Sequence, residues 1–168
     1  MNILTISGSA QRASSNDNLL NSLAILFTQH HFTHIGELMD FPLFTPEGDR
    51  QPPEIVLSFK EKIRNADLVI ISFPEYVHNL PAVLKNALEW ITSSGEFFDK
   101  KLIPISYTPQ APRGEKGMQS LIWSLQALNA KIITELPLYK SELTITKDSK
   151  LIGDASLEAI KAVFELID

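Results

Sequence analysis

Five short apolar runs alternate with five stretches of helical periodicity, and this alternation constrains the fold more than any other feature of the chain. The runs are NILTIS (2–7), THIGEL (33–38), DLVIISF (67–73), KLIPISY (101–107) and KIITELP (131–137). Between them, Leu19, Leu20, Leu23, Ala24, Leu26 and Phe27 recur at helical spacing, and Pro53-Glu54 opens a helical stretch over 54–66. Further helices are predicted from Pro81, over 117–129 and over 156–167, while the proline-rich 40–53 reads as loop. DLVIISF is unbroken from Leu68 to Ser72, which marks a strand covered on both faces, as in a parallel sheet. Strand followed by helix, repeated along the chain, gives an α/β fold with helices on both faces of a five-stranded parallel sheet. Right-handed crossovers leave few topologies, and the doubly wound order 2-1-3-4-5 is the expected one. No repeat or linker divides the chain, so residues 1–168 are expected to form one domain.

In such a sheet, ligands bind beyond the carboxyl ends of the strands near the switch point of strand order. The loops that matter are therefore GSAQRASSN (8–16), PEYVHNLP (74–81) and TPQAPRGEKG (108–117). A net charge of -5 with no dense Lys/Arg cluster excludes a nucleic-acid binder, so an anionic ligand has to be held by local geometry. The absence of cysteine removes disulfides, thiolate metal sites and thiol catalysis. MNILTISGSA runs straight into a strand pattern, and no apolar stretch approaches the roughly 18 residues of a membrane span. A cytoplasmic protein without membrane attachment is expected.

The first loop gathers Ser7, Ser9, Arg12, Ser14, Ser15 and Asn16 around Gly8, just before a helix. Unpaired backbone N–H groups and the helix dipole favour an anion there, and hydroxyls with a guanidinium complete a phosphate shell. A solvated serine loop with Ser15 or Asn16 as an ordinary N-cap fits the same residues. In the second loop Pro74 stiffens the strand exit, and Pro81 suits a first helical position. That loop offers main-chain groups to a flat heterocycle, with the Tyr76 edge beside them; a plain turn whose tyrosine covers the core is the competing reading. Val83, Leu84, Ala87, Leu88, Trp90 and Ile91 make an apolar face opposite Lys85, Asn86 and Glu89, which places Trp90 in the core or at a subunit interface.

Taken together, the two loops resemble the NADPH-dependent FMN reductase family, flavoproteins of the flavodoxin-like fold. The family's first loop is similar to G-S-x-R-x-x-S-x-N, and Gly8, Ser9, Ser14 and Asn16 fall in register. Its second signature, P-E-Y-N-x-S-x-P-x-x-L-K-N-A-[IL]-[DE]-W, is matched at the same length by PEYVHNLPAVLKNALEW. DFPLF (40–44) and KDSKLIGD (147–154) also look like family features. Four positions depart from the pattern. Gln11 stands at the first-loop Arg with Arg12 one place later, Val77-His78 stands where Asn-Gly is common, and Asn79 replaces the usual Ser.

The resemblance implies a flavodoxin-like three-layer sandwich that binds FMN across the three loops. Ser9, Arg12, Ser14, Ser15 and Asn16 are then expected around the 5′-phosphate. Pro74, Glu75, Tyr76, Val77 and Asn79 are expected along the ring, and Pro109, Arg113 and Gly114 at its other edge. It also implies NADPH or NADH as donor, a quinone, azo compound, metal oxyanion or free flavin as acceptor, and a homodimer or homotetramer that uses the helix after Pro81. No side chain is expected to act as acid or base. An FMN electron carrier without NAD(P)H turnover is the alternative, and a cofactor-free scaffold a third reading.

Overall fold

The computed structural model describes residues 1–167. A parallel sheet holds β1 (Asn2–Ser7), β2 (His31–Ile35), β3 (Leu68–Phe73), β4 (Lys101–Thr108) and β5 (Lys131–Ile132) in the order β2-β1-β3-β4-β5. This is the flavodoxin-like order expected from the sequence. On one face lie α2 (Glu54–Asn65), α3 (Ala82–Glu89) and α4 (Glu115–Ala127), against Leu4, Ile6, Val69, Ile71 and Phe73. On the other lie α1 (Ser15–Leu26) and α5 (Asp154–Glu165), against Ile3, Leu68, Ile70 and Ile103. Alternate residues of β3 therefore serve opposite layers, and all six are buried, which is why its sequence shows no polar alternation. Each such Leu or Ile contributes about 1.5–3 kcal/mol relative to exposure.

The last strand is broken. Leu102 pairs with Ile132 but Ile105 pairs with Leu136, so three residues of the edge strand lie opposite two of β4. Edge-strand Lys131 and Ile133 donate to Lys100 and Leu102 carbonyls, so even-numbered residues of β4 face that edge. Pro104 is one of them and has no N–H to give, and the ladder resumes only at β6 (Leu136–Tyr139). The predicted continuous strand 131–137 is thus two short ones.

Three further details depart from expectation. Pro81 is the cap of α3 rather than its first helical residue: its backbone stays extended while its carbonyl accepts from Leu84 and Lys85, each at 3.0 Å. The loop after β2 carries two 3-10 turns, Leu38–Asp40 and Gly48–Arg50. It is tied to α3 because Asn86 Nδ2 and Trp90 Nε1 both donate to the Pro42 carbonyl at 2.9 Å, and Asn86 Oδ1 accepts from Phe44 N–H at 2.8 Å. Asn86, expected on the solvent side, is therefore buried, and Trp90 belongs to this chain's own core. Finally, β7 (Thr144–Ile145) and β8 (Leu151–Ile152) form a small antiparallel hairpin before α5 that the sequence reading did not contain. Gly153 follows it at φ 154°, where a Cβ would sit 2.1 Å from the Glu142 carbonyl oxygen, so only glycine fits.

Candidate functional site

The carboxyl ends of β1, β3 and β4 open into a cleft of about 270 Å³. Its first wall is the loop after β1. Ser14 caps α1: its hydroxyl donates to Asp17 Oδ2 at 2.5 Å and accepts from Asp17 N–H, while the Ser14 N–H donates back to Oδ2 at 2.7 Å. This reciprocal box sets the entry angle of the helix and leaves the Ser15 and Asn16 N–H groups with no intrahelical partner. Asn16, 1% exposed, accepts from the Ser72 hydroxyl at 2.7 Å, which spends its amide oxygen and leaves its NH2 group for the cleft. Ser9 is buried and accepts from the Gln11 N–H at 3.1 Å.

The second wall is the exit of β3, where Pro74, Glu75 and Tyr76 line the cleft. Tyr76 and Asn79 exchange backbone hydrogen bonds of 3.0 and 2.9 Å, closing a two-residue turn over Val77 and His78. Both turn residues are left-handed, at φ 51° and 56°. That is the geometry Asn-Gly adopts readily, and for a β-branched valine it is strained. Two contacts to α4 hold the turn: Glu75 Oε2 accepts from Gly117 N–H at 2.8 Å, and Asn79 Oδ1 accepts from the Ser120 hydroxyl at 2.6 Å. Because the Tyr76 and Asn79 amides are spent on each other, the N–H groups that this loop leaves for a ligand are those of Glu75, Val77 and His78.

The third wall comes from the end of β4 and from beyond β6. Tyr107, Thr108, Pro109, Arg113 and Lys140 line it. Thr108 Oγ1 donates to the Arg113 carbonyl at 2.7 Å, and Tyr107 OH donates to the Leu143 carbonyl at 3.0 Å. Burial raises the Tyr107 phenol above its usual range, so it stays protonated. Lys140 Nζ lies 5.7 Å from the centre of the Tyr107 ring. Arg113 and Lys140 have no carboxylate partner among the described residues.

The cleft brings together Ser9, Ser14, Ser15, Asn16, Pro74, Glu75, Tyr76, Pro109 and Arg113. Four other candidates lie elsewhere. Arg12 turns away, its Nη2 donating to both carboxylate oxygens of Asp40 at 2.8 and 2.9 Å, and borders a separate cavity of about 490 Å³ beside β2. Val77, 98% exposed, is the tip of its turn, and Asn79 is spent on anchoring. Gly114 caps α4 at φ 104° and borders a cavity with Ser106 and Met118. The sequence reading missed Gln11, Tyr107, Thr108 and Lys140. Gln11 occupies the position of the resembled family's first-loop Arg, and Lys140 stands just past a strand end; both were signals to be had.

The donor set of the cleft suits a phosphate-bearing, flat ligand. Free N–H groups at a helix start and the Asn16 amide form one wall, Arg113 and Lys140 bring positive charge on another, and the one carboxylate lining the cleft among the described residues, Glu75, is tied to Gly117.

Comparison with known proteins gives the same picture. The model of a family described as NADPH-dependent FMN reductase matches residues 1–141. The chain is 33% identical to the NADH:(hydroxy)cinnamate reductase subunit CrdA of Vibrio ruber, over 98% of this chain and 84% of that protein. It is 36% identical to a 2-hydroxy-1,4-benzoquinone reductase of Burkholderia over 54% of this chain, a match that spans about half of that protein (49%). Among solved structures, the flavoenzyme NAD(P)H:(acceptor) oxidoreductase FerB of Paracoccus denitrificans superposes with a TM-score of 0.84 at 20% identity, covering 98% of this chain and 93% of that one.

Proposed function

The chain belongs to the NADPH-dependent FMN reductase family, an oxidoreductase family working with FMN and a reduced pyridine nucleotide, and from that premise we propose how this chain holds its cofactor. The phosphate sits at the start of α1, held by the N–H groups of Ser15 and Asn16, the Asn16 amide and Ser9, with Arg113 and Lys140 supplying positive charge. The ring lies along Pro74, Glu75 and Tyr76, with Pro109 at its other edge. Gln11 takes the first-loop place, and Arg12, held by Asp40, has no part. The observation that carries this reading is the convergence of three separate loops on one cleft with an anion-seeking end.

The flavin supplies hydride transfer, and the protein supplies position and electrostatics. Glu75 acts by fixing the second loop on α4, so that main-chain N–H groups at the β3 exit would be held in place to offset negative charge on the bound ring; fixed dipoles need no reorganisation. No side chain has to move a proton. Donor and acceptor would enter the same open cleft in turn, which would make turnover ping-pong. The acceptor is a small planar compound, a quinone first of all, since several relatives are quinone reductases. The same polypeptide, residues 1–168 as one domain, works in the cytoplasm.

A homodimer is the proposed assembly. The apolar face of α3 is covered by this chain's own core, so the interface is instead the groove between α3 and α4, where Leu88, Ala127 and Leu128 flank Trp123, 64% exposed. The test of function is anaerobic: purified protein loaded with FMN should lose its flavin absorbance on addition of NADPH or NADH and regain it with a quinone. Initial rates should give parallel double-reciprocal lines. A flavin that neither nucleotide bleaches would favour the electron-carrier alternative instead.

A further inference from the structure

The loop proposed to hold the phosphate is not held by itself. Asp17 closes the cap of α1 with Oδ2, and its other oxygen, Oδ1, lies 3.2 Å from His34 Nε2. His34 stands on β2, and its Nδ1 lies 3.0 Å from the Thr5 hydroxyl on β1. Thr5 Oγ1 also lies 3.3 Å from the Thr33 carbonyl. Gly36 is pressed on the pair so closely that a Cβ there would come within 2.6 Å of Asp17 Oδ1 and 3.0 Å of His34 Nε2. The Asp17 side chain is 9% exposed and that of His34 is 30% exposed, through the cavity of about 490 Å³ beside β2.

We propose that Asp17 and His34 are positioning residues for the phosphate end of the cofactor, forming with Thr5 and Ser14 a chain that takes up a proton at His34 when the phosphate seats at α1. The inference rests on the phosphate placement proposed above.

Three features carry it. First, the Ser14 hydroxyl has one proton, and that proton goes to Asp17; Ser14 thus holds the loop's shape and has no proton left for the ligand. Second, Asp17 is a largely buried carboxylate at the same helix terminus that would receive a phosphate, and two negative charges there repel each other. An imidazolium on Oδ1 offsets the added charge. Third, both charge states of His34 are fully hydrogen-bonded. With neutral imidazole, Nε2–H donates to Asp17 and Thr5 donates to Nδ1. With the imidazolium, Nδ1–H donates to Thr5, whose own proton turns to the Thr33 carbonyl. The proton comes from solvent through the open cavity, and no hydrogen bond is lost. The other charged groups around His34 are Arg12 from the first loop, Glu37 after β2 and Lys62 of α2. Arg12 already pairs with Asp40 and Glu37, which leaves Asp17 as the dominant partner.

The test compares FMN with riboflavin, which lacks the phosphate, as titrants of the apoprotein between pH 5.5 and 8.5. Wild type, His34→Gln and Thr5→Val are measured. Histidine ordinarily changes charge within this range, whereas glutamine does not. The phosphate's own second ionisation falls near 6 and affects every variant alike, so it cancels in the ratio of wild-type to His34→Gln affinity for FMN. That ratio is expected to fall about tenfold from the acid to the alkaline end, the change that one unit of binding-linked shift produces. Riboflavin binding should stay within twofold in all three proteins. If His34→Gln fails to fold, the ratio of wild-type to Thr5→Val affinity for FMN should likewise fall with pH, because valine takes away the acceptor of Nδ1–H in the imidazolium. A constant wild-type to variant ratio across pH overturns the proposal, as does equal loss of FMN and riboflavin binding, which marks a merely structural role. If wild type shows no preference for FMN over riboflavin, the phosphate placement itself fails and the relay with it.

Discussion

Two arginines within reach of the phosphate-binding question behave oppositely. Arg12 sits in the loop with the richest anion signature, yet Asp40 and Glu37 take its guanidinium. Arg113 sits in a loop with no clear pattern, yet lines the cleft without a carboxylate partner among the described residues. Replacing Arg113 by Ala should weaken FMN binding by about 1.5–3 kcal/mol, roughly ten- to a hundredfold in Kd, since a charge-assisted hydrogen bond is lost. Arg12→Ala should change it less than about twofold, as expected for an exposed ion pair remote from the ligand. Fluorescence titration of the two apoproteins distinguishes them, and the reverse order would return Arg12 to the site. Residue types showed where a phosphate belongs but could not show this, because the contest for Arg12 is won by a residue 28 positions away on a different turn.

Among the elements, the turn at 76–79 shows strain most plainly. Val77 and His78 both carry positive φ where the resembled family commonly has Asn-Gly, and the turn survives because Glu75 and Asn79 bolt it to α4. Val77→Gly should therefore raise stability by about 1 kcal/mol, seen as a higher urea midpoint at unchanged slope. A loss of stability would mean that the left-handed valine is not a source of strain. A second element-scale prediction concerns the loop after β2. Ser93's hydroxyl, then Lys60, hold the Asp49 carboxyl below its ordinary 3.8 against the opposing effect of burial. A depressed folded pKa contributes stability that is complete above 3.8 and lost as pH falls through the folded value. Asp49→Asn should thus lose stability at neutral pH and show a shallower acid decline, read from urea midpoints at pH 3 and pH 6. The turn was half legible in the sequence: two prolines and Asn-Leu-Pro announced it, but its handedness came from the tie to Gly117 and Ser120 on a helix 40 residues on. The loop after β2 is a loop as expected, but its tie to α3 left no sign in the sequence because Pro42, Asn86 and Trp90 are joined only in three dimensions.

For the molecule as a whole, local pattern and global arrangement agreed on the sheet. Unbroken β3 had to lie central, and its neighbours followed from crossover handedness. What failed was the outer edge, where Pro104 interrupts the ladder and the chain spends 143–153 on a hairpin of two-residue strands too short to leave a periodic signal. The same weighing applies to assembly. The amphipathic face of α3, with Trp90 at its centre, looked like a surface in need of a partner, but the loop after β2 covers it. Phe98 and Trp123 are the aromatics left most exposed among the described residues, and Trp123 lies on the outer side of α4. An indole so exposed, beside Ala127 and Leu128 and rimmed by the Lys85–Glu89 ion pair, is the kind of anchor on which interfaces of about 800 Å² per partner are built. If two copies meet there, Trp123→Glu should bury a carboxylate against apolar groups and give monomers of unchanged fold by light scattering and circular dichroism. Because α4 also carries Gly117 and Ser120, the anchors of the second loop, the monomer should bind FMN more weakly than the wild-type dimer. A Trp123→Glu protein with the wild-type mass would move the interface to another face.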